Sequence, residues 1–301
     1  MADNLSRVFL WCVPRTVSTA FLKCISFADG LQVVNEPYNC AFFSGPERKK
    51  IELDMNNPLD KRLVDMFNYE SSGDELVRGF DEKTCTYDWI RDDLLGASYE
   101  DKKVLFCKDM AYHLDGKYHM LPSGFRHSFL IRHPVKVFPS WKKLLLDLMG
   151  ESCAKHMENL RELPSHIFPI GCGFKELHDL MEYVEKNIDP EPVVIDADDL
   201  LTDPAGILSA YCHKMGIPYS PDLLSWDGNA NEETWKISRT LLYANRNNGF
   251  FDKALQSTEF RRPTPFPHVD SLPNDVQACV DASMGYYEKL HDRRIKPLPS
   301  S

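Results

Sequence analysis

The sequence predicts an α/β protein: a parallel β-sheet flanked by helices. Three observations carry the prediction. Five short β-rich runs recur along the chain, segments with helical spacing separate most of them, and the first run passes through a short polar turn into a helical pattern. Such an arrangement lines up the C-terminal ends of the strands, and the turns after them, along one edge where ligands bind.

Taken in order, the predicted strands are Val8–Val13, Leu31–Asn35, Val104–Cys107, Ser128–Ile131 and Val193–Ile195. Val137, Trp141, Leu144, Leu145 and Leu148 repeat at helical spacing after the fourth. A last amphipathic helix is predicted near Asp275 to His291. The charged, weakly periodic segment Ser44–Gly79 reads as a surface insertion or lid, and the proline-rich Ser257–Pro273 as a long ordered loop. There is no internal repeat and no low-complexity linker, so residues 1–301 are expected to form one domain.

The net charge of −10, without a long basic run, disfavours nucleic acid as a partner. The N-terminus "MADNLSRVFLWC" lacks the layout of a secretory signal, and the apolar runs are too short to span a membrane. Nine cysteines include no CxxC pair and several sit in apolar runs, as buried free thiols do. The expectation is a reduced, cytoplasmic protein. His, Cys, Asp and Glu do not recur at zinc spacing, so no metal is expected.

The first candidate site is "RVFLWCVPRTVSTAFLKC", Arg7 to Cys24. Ser18 or Thr19 suits the first turn of a helix, where unpaired amides and the helix dipole favour an anion that Arg15 could neutralise. Position alone leaves an anion site and a plain helix cap beside a surface arginine equally open. GxxxxGK[ST] is absent, so this is not a Walker A loop. The second candidate is "FLIRHPVKVFPSW", Phe129–Trp141: Arg132 ends a strand, Pro134 suits the first helical position, and Pro139 is expected to perturb the helix that carries Ser140.

Together these segments resemble the two cofactor motifs of the sulfotransferases that use 3′-phosphoadenosine 5′-phosphosulfate (PAPS). Arg15-Thr16-Val17-Ser18-Thr19-Ala20-Phe21 is similar to the first motif of the carbohydrate and protein-tyrosine branches, and Arg132-His133-Pro134 through Ser140 matches the spacing of the second. "VIDADDLLTDPAGILSAYCHKMGIPY" is similar to a third block of the family. Val17 stands where the family has glycine, so the turn is expected to manage without easy positive φ there. His133 stands where it has Asn or Asp.

The resemblance implies a P-loop-like sulfotransferase fold. It assigns cofactor binding to Arg15, Thr16, Val17, Ser18 and Thr19 around the 5′-phosphate and to Arg132 and Ser140 around the 3′-phosphate. It assigns catalysis to Glu36, Arg15 and Lys108. Glu36, in "VVNEPYN", is the implied base, reaching the cleft from a strand expected to lie beside that of Arg15. Lys108, expected just after the third strand, would stabilise charge on the departing phosphate. Lys108-Asp109-Met110 lacks the histidine of the cytosolic Lys-Thr-His pattern, and His113 reads as a surface or core residue. Arg261 and Arg262 read as a solvated pair, Trp235 as a weak candidate for stacking on adenine, and Tyr38, Phe42 and Phe43 as acceptor-pocket or core aromatics.

The implied function is transfer of the sulfuryl group from PAPS, without a metal, to a hydroxyl or amine of a small cytosolic acceptor. The partner is thus a small molecule, not a nucleic acid or a membrane, with a homodimer left open. A P-loop-like small-metabolite kinase and a non-catalytic nucleotide-binding protein of the same fold are the alternatives.

Overall fold

The computed structural model describes residues 5–48, 53–67, 78–227 and 234–297. Its centre is a five-stranded sheet of β1 (Ser6–Cys12), β2 (Leu31–Asn35), β3 (Val104–Met110), β4 (Arg126–Ile131) and β5 (Val193–Asp196). The order is β2-β3-β1-β4-β5 and every pairing is parallel. The α/β class read from the sequence is therefore the fold observed.

Side chains alternate across the sheet with the two-residue period of a strand. Phe9, Trp11 and Val13 enter one apolar layer, whereas Val8, Leu10 and Cys12 enter the other. The first layer is closed by α4 (Pro134–Met149), α5 (Phe174–Asn187) and α9 (Asn274–Asp292), together with α2 (Pro37–Phe43) and α3 (Pro58–Phe67). The second is closed by α1 (Ser18–Ser26), α6 (Ala197–Thr202) and α7 (Pro204–Met215). A further helix, α8 (Arg239–Asn248), packs beside α3. All nine cysteines are free and buried, as their apolar settings suggest.

Three expectations change. β3 runs on to Met110, so Lys108 lies inside the strand, opposite Leu10 of β1 and Asn35 of β2. Glu36 does not follow a neighbour of β1, because β3 is inserted between β1 and β2. Strand order in sequence carries no signal for such an insertion; it is decided when the chain returns from its long excursion after β2. Finally, α4 continues through Pro139 to Met149, its entry fixed by His133, whose Nδ1 accepts from Val135 N at 3.2 Å. Of the charged segment 44–79, residues 49–52 and 68–77 lie outside those described; within the rest, α3 packs into the first layer.

The order β2-β3-β1-β4-β5 also positions the site. From β1 the chain leaves toward β2, and from the adjacent β4 it leaves toward β5. The two departures diverge, opening a crevice at the C-terminal ends of β1 and β4. Pro14–Thr19 and Arg132–Ser140 lie immediately beyond these two ends.

Beneath the crevice, His127 accepts from Trp11 Nε1 through Nδ1 at 3.0 Å, and its Nε2 is buried without a partner. Burial lowers its pKa from the ordinary 6.5 to about 4, with Asp189 opposing the shift. The folded state therefore binds this proton less readily than the unfolded state, and stability drains away as pH falls from about 6.5 to about 4. A shift of that size corresponds to about 3 kcal/mol. His127→Gln, which can still accept from Trp11, is expected to flatten the acid limb of stability measured by urea unfolding across that window.

Candidate active site

The turn after β1 is held in an unusual conformation. Arg15 (φ 69°) and Val17 (φ 58°) are both left-handed, and Thr16 Oγ1 donates to Val13 O at 2.8 Å. Val17 thus adopts the conformation that the family's glycine would take easily, at a cost of about 1–3 kcal/mol for a constrained β-branched residue. The expectation that the turn avoids positive φ there is corrected. Val17 is also the cap position of α1 and offers no side-chain bond, so the first amides of α1 remain open to an outside acceptor.

Those amides border a cavity of about 350 Å³. Arg15, Val17, Ser18 and Thr19 line it from the β1 side, and Arg132 and Ser140 from the β4 side. Arg15 Nε donates to Ser140 Oγ at 2.9 Å, and Arg132 Nη1 to Arg15 O at 3.3 Å. The second motif is therefore locked to the first. Burial and the neighbouring Arg132 pull the pKa of Arg15 below its ordinary value. Arg132 Nε is buried without a hydrogen-bond partner and lies 3.7 Å from Asp198 Oδ1, to which Lys136 Nζ donates at 2.9 Å.

The far wall comes from the C-terminal region and includes Lys253, Phe260, Arg261 and Arg262. The arginine pair, read from sequence as merely solvated, lines this cavity. Arg15, Arg132, Lys253, Arg261 and Arg262 face a single lining acid, Glu259, in a chain of net charge −10. This local excess of cations suits an anion. Two candidates fall away from the cavity. Thr16 is fully buried with its hydroxyl engaged inside the turn, and Trp235 is buried beside Asn35 and Ile237.

A second cavity, of about 170 Å³, shares Arg15, Ser18, Thr19 and Phe250 with the first. Its walls are mostly apolar: Phe43, Met66, Phe67, Trp141, Leu145 and Ile167 among others. Phe42 packs behind, against Phe43 and His113, while Tyr38 is core, its hydroxyl donating to Met120 O at 2.8 Å. Glu36 borders this cavity at the left-handed position (φ 50°) that opens α2, its N–H donating to Lys108 O at 2.7 Å.

Lys108 lines neither cavity; it is fully buried behind Glu36, with Nζ donating to Glu36 Oε1. Burial alone would lower its pKa, but Glu36, with Cys12 and Asp109 nearby, outweighs that and holds it raised. The ammonium therefore stays charged. Cys12, alongside, is pushed up to about 12 by burial and is an inert thiol.

Sequence reasoning gave Asp109 no role and read His113 as a surface or core residue. His113 is 1% exposed and borders the second cavity, and its Nδ1 lies 2.6 Å from Asp109 Oδ1. Asp109 also accepts from the backbone N of Tyr38 and of Met110, both at 2.7 Å. Burial raises the pKa of Asp109, with His113 opposing. An acid and a histidine four residues apart across a strand end was the available signal. Among the described residues one group, His178, Asp179 and Glu182 on α5, gathers metal-type ligand atoms within 4.8 Å, and it lines neither cavity.

The buried Glu36–Lys108 pair yields a direct test. Removing one member leaves a charge buried without its partner, so Glu36→Gln is expected to lose about 3–5 kcal/mol in urea unfolding. Glu36→Leu combined with Lys108→Met removes both charges and is expected to lose less than that single change.

Comparison with known proteins gives a consistent relationship. Residues 189–294 match the family model described as "Sulfotransferase domain". Branched-chain-amino-acid aminotransferase-like protein 2 of Arabidopsis thaliana is 25% identical over 266 residues, which cover 88% of this chain and 38% of that protein. Its homologue, protein 1, is 27% identical over an alignment of 303 positions covering 97% of this chain and 43% of its own. The chain thus spans less than half the length of these relatives. A protein of Metarhizium majus named sulfotransferase ppzF is 25% identical over 188 residues, 56% of this chain and 52% of that one. Among solved structures, a sulfotransferase domain from the curacin biosynthetic pathway is 16% identical with a TM-score of 0.46, covering 92% of this chain and 97% of that chain. The chain is thus similar to a sulfotransferase domain over residues 189–294 and to a fungal sulfotransferase over 56% of its length.

Proposed function

We propose that the chain transfers a sulfuryl group from PAPS to a hydroxyl or amine of a small molecule. One observation carries the reading: a cation-lined cavity and an apolar cavity meet at the β1–α1 turn, sharing Arg15, Ser18 and Thr19. A donor in the first cavity would present its reacting end at that junction, and an acceptor in the second would meet it there.

In this reading the open amides of α1, with Ser18 and Thr19, hold the 5′-phosphate beside Arg15, while Thr16 shapes the turn. Arg132 and Ser140 hold the 3′-phosphate, with Arg261 and Arg262 closing over it. The unpartnered Arg132 Nε and the uncapped start of α1 support this fit. Arg15 neutralises negative charge as it moves onto the departing phosphate, while Lys108, expected from the sequence to share that role, stays paired with Glu36 behind the cavity wall. Glu36 and His113 both border the acceptor cavity within reach of the proton that must leave. No step in this scheme requires a bridging metal.

Each hydrogen bond to a charged group contributes about 1.5–3 kcal/mol. Adenosine 3′,5′-bisphosphate is therefore expected to bind at least ~10-fold more tightly than AMP in calorimetry. Arg132→Ala is expected to erase most of that preference, and equal affinity of the native protein for both nucleotides would sink the assignment. Incubation with sulfur-labelled PAPS and a panel of acceptors is expected to label an acceptor as well in EDTA as in magnesium. Activity abolished by EDTA and restored by magnesium would favour a kinase instead.

A further inference from the structure

Three groups that could take a proton border the acceptor cavity, Glu36, His113 and His166. His166 belongs to the wall at α3, its Nε2 2.9 Å from Asp60 Oδ1, whereas Glu36 and His113 follow β2 and β3, on the side of the sheet's strand ends. The surroundings of these last two differ. Glu36 is already engaged: its Oε1 accepts from Lys108 Nζ, and that ammonium is wholly buried. Protonating Glu36 would remove the counter-ion of a charge that water cannot reach. His113 carries no such burden. Its Nδ1 is turned to Asp109, and its other nitrogen, Nε2, has only a long 3.4 Å approach from Asn39 Nδ2 on the cavity side.

Resting on the sulfotransferase reading, we infer that His113, oriented by Asp109, is the general base and that Glu36 serves instead as the fixed counter-ion of Lys108. Two backbone amides pin Asp109, and Asp109 in turn selects the tautomer with a proton on Nδ1 and a lone pair on Nε2. The ring is wedged among Phe42, Phe43 and Tyr112, with centroids 5.5, 5.6 and 4.3 Å away, so it cannot swing. As the acceptor oxygen forms its bond to sulfur, its proton passes to Nε2. The bond from sulfur to the bridging phosphate oxygen breaks, and that electron pair leaves with adenosine 3′,5′-bisphosphate. Asp109 balances the imidazolium, which needs no movement to form.

The walls name the acceptor class. Phe43, Met66, Phe67, Trp141, Leu145 and Phe250 suit a compact apolar body, and few polar groups, Asn39 and His113 among them, interrupt that lining. A phenol or a small apolar alcohol fits, with its single hydroxyl at His113. The charged and titratable groups around His113 are Asp109 and Lys108 of β3, Glu36 at the start of α2, Tyr112 beside it, Arg15 and His166 on other walls of the cavity, and Tyr87, whose hydroxyl donates to His113 O at 2.7 Å.

The test uses the full chain, sulfur-labelled PAPS and two probe acceptors, 2-naphthol and p-nitrophenol. p-Nitrophenol is already largely ionised near pH 7.5 and needs a base far less. His113→Gln is expected to bind adenosine 3′,5′-bisphosphate within about twofold of native while losing ~10²-fold or more in transfer to 2-naphthol and much less to p-nitrophenol. Asp109→Asn is expected to lose more in transfer to 2-naphthol than to p-nitrophenol, because the amide no longer selects the tautomer with its lone pair on Nε2. Nitrogen-15 NMR of the native chain reads the same proposal without any acceptor, and the expected state is neutral His113 protonated on Nδ1. A proton on Nε2, normal turnover by His113→Gln, or equal losses on both phenols would overturn it. Failure of the native chain to bind adenosine 3′,5′-bisphosphate would instead sink the sulfotransferase reading on which it rests.

Discussion

A parallel sheet cannot close its strand ends where two neighbouring strands send their chains in opposite directions, and here that happens between β1 and β4. Both cavities follow from this constraint. The turn after β1 and the entry to α4 are the two lips of the crevice, and Arg15 Nε bonded to Ser140 Oγ joins them. Inserting β3 beside β1 adds a third strand end, which brings Asp109 and Lys108 under the same opening. The site is assembled from segments more than a hundred residues apart because the hydrogen-bond ladder, and not chain proximity, sets their spacing.

Charge is arranged in two tiers. Beneath the opening, Lys108 with Glu36 and His113 with Asp109 form buried pairs whose members hold one another in place. Above it, Arg15, Arg132, Lys253, Arg261 and Arg262 gather around one cavity with a single lining acid. The overall charge of −10 makes this cluster a local exception. It is partly countered by Asp198, which pairs with Arg132 and Lys136.

Backbone strain gathers at the same place. Six non-glycine residues have positive φ among the described residues, and three of them, Arg15, Val17 and Glu36, border the two cavities. A β-branched residue gains nothing locally from the left-handed region. Val17 is held there because the turn must redirect the chain from β1 into α1 within a few residues while leaving the first amides of α1 uncapped. The surrounding ladder and the Thr16–Val13 bond supply what keeps it there.

The sequence by itself determined the strand and helix pattern, since alternation and helical spacing are local properties of apolar side chains. It pointed as well to the turn after β1 and to the Arg132–Ser140 segment, contiguous motifs that the fold brings together, and to the buried state of the cysteines. The tertiary structure alone decided that β3 separates β1 from β2, that Lys108 sits within a strand behind Glu36, and that Arg261 and Arg262 arrive at a cavity lined by Arg15. It alone moved Trp235 away from that cavity and turned His113, read from sequence as a surface or core residue, into one paired with Asp109. The reason is physical: a side chain's type and its near neighbours are written along the chain, but burial, ion pairing and convergence on a common space arise only when distant strands come into register.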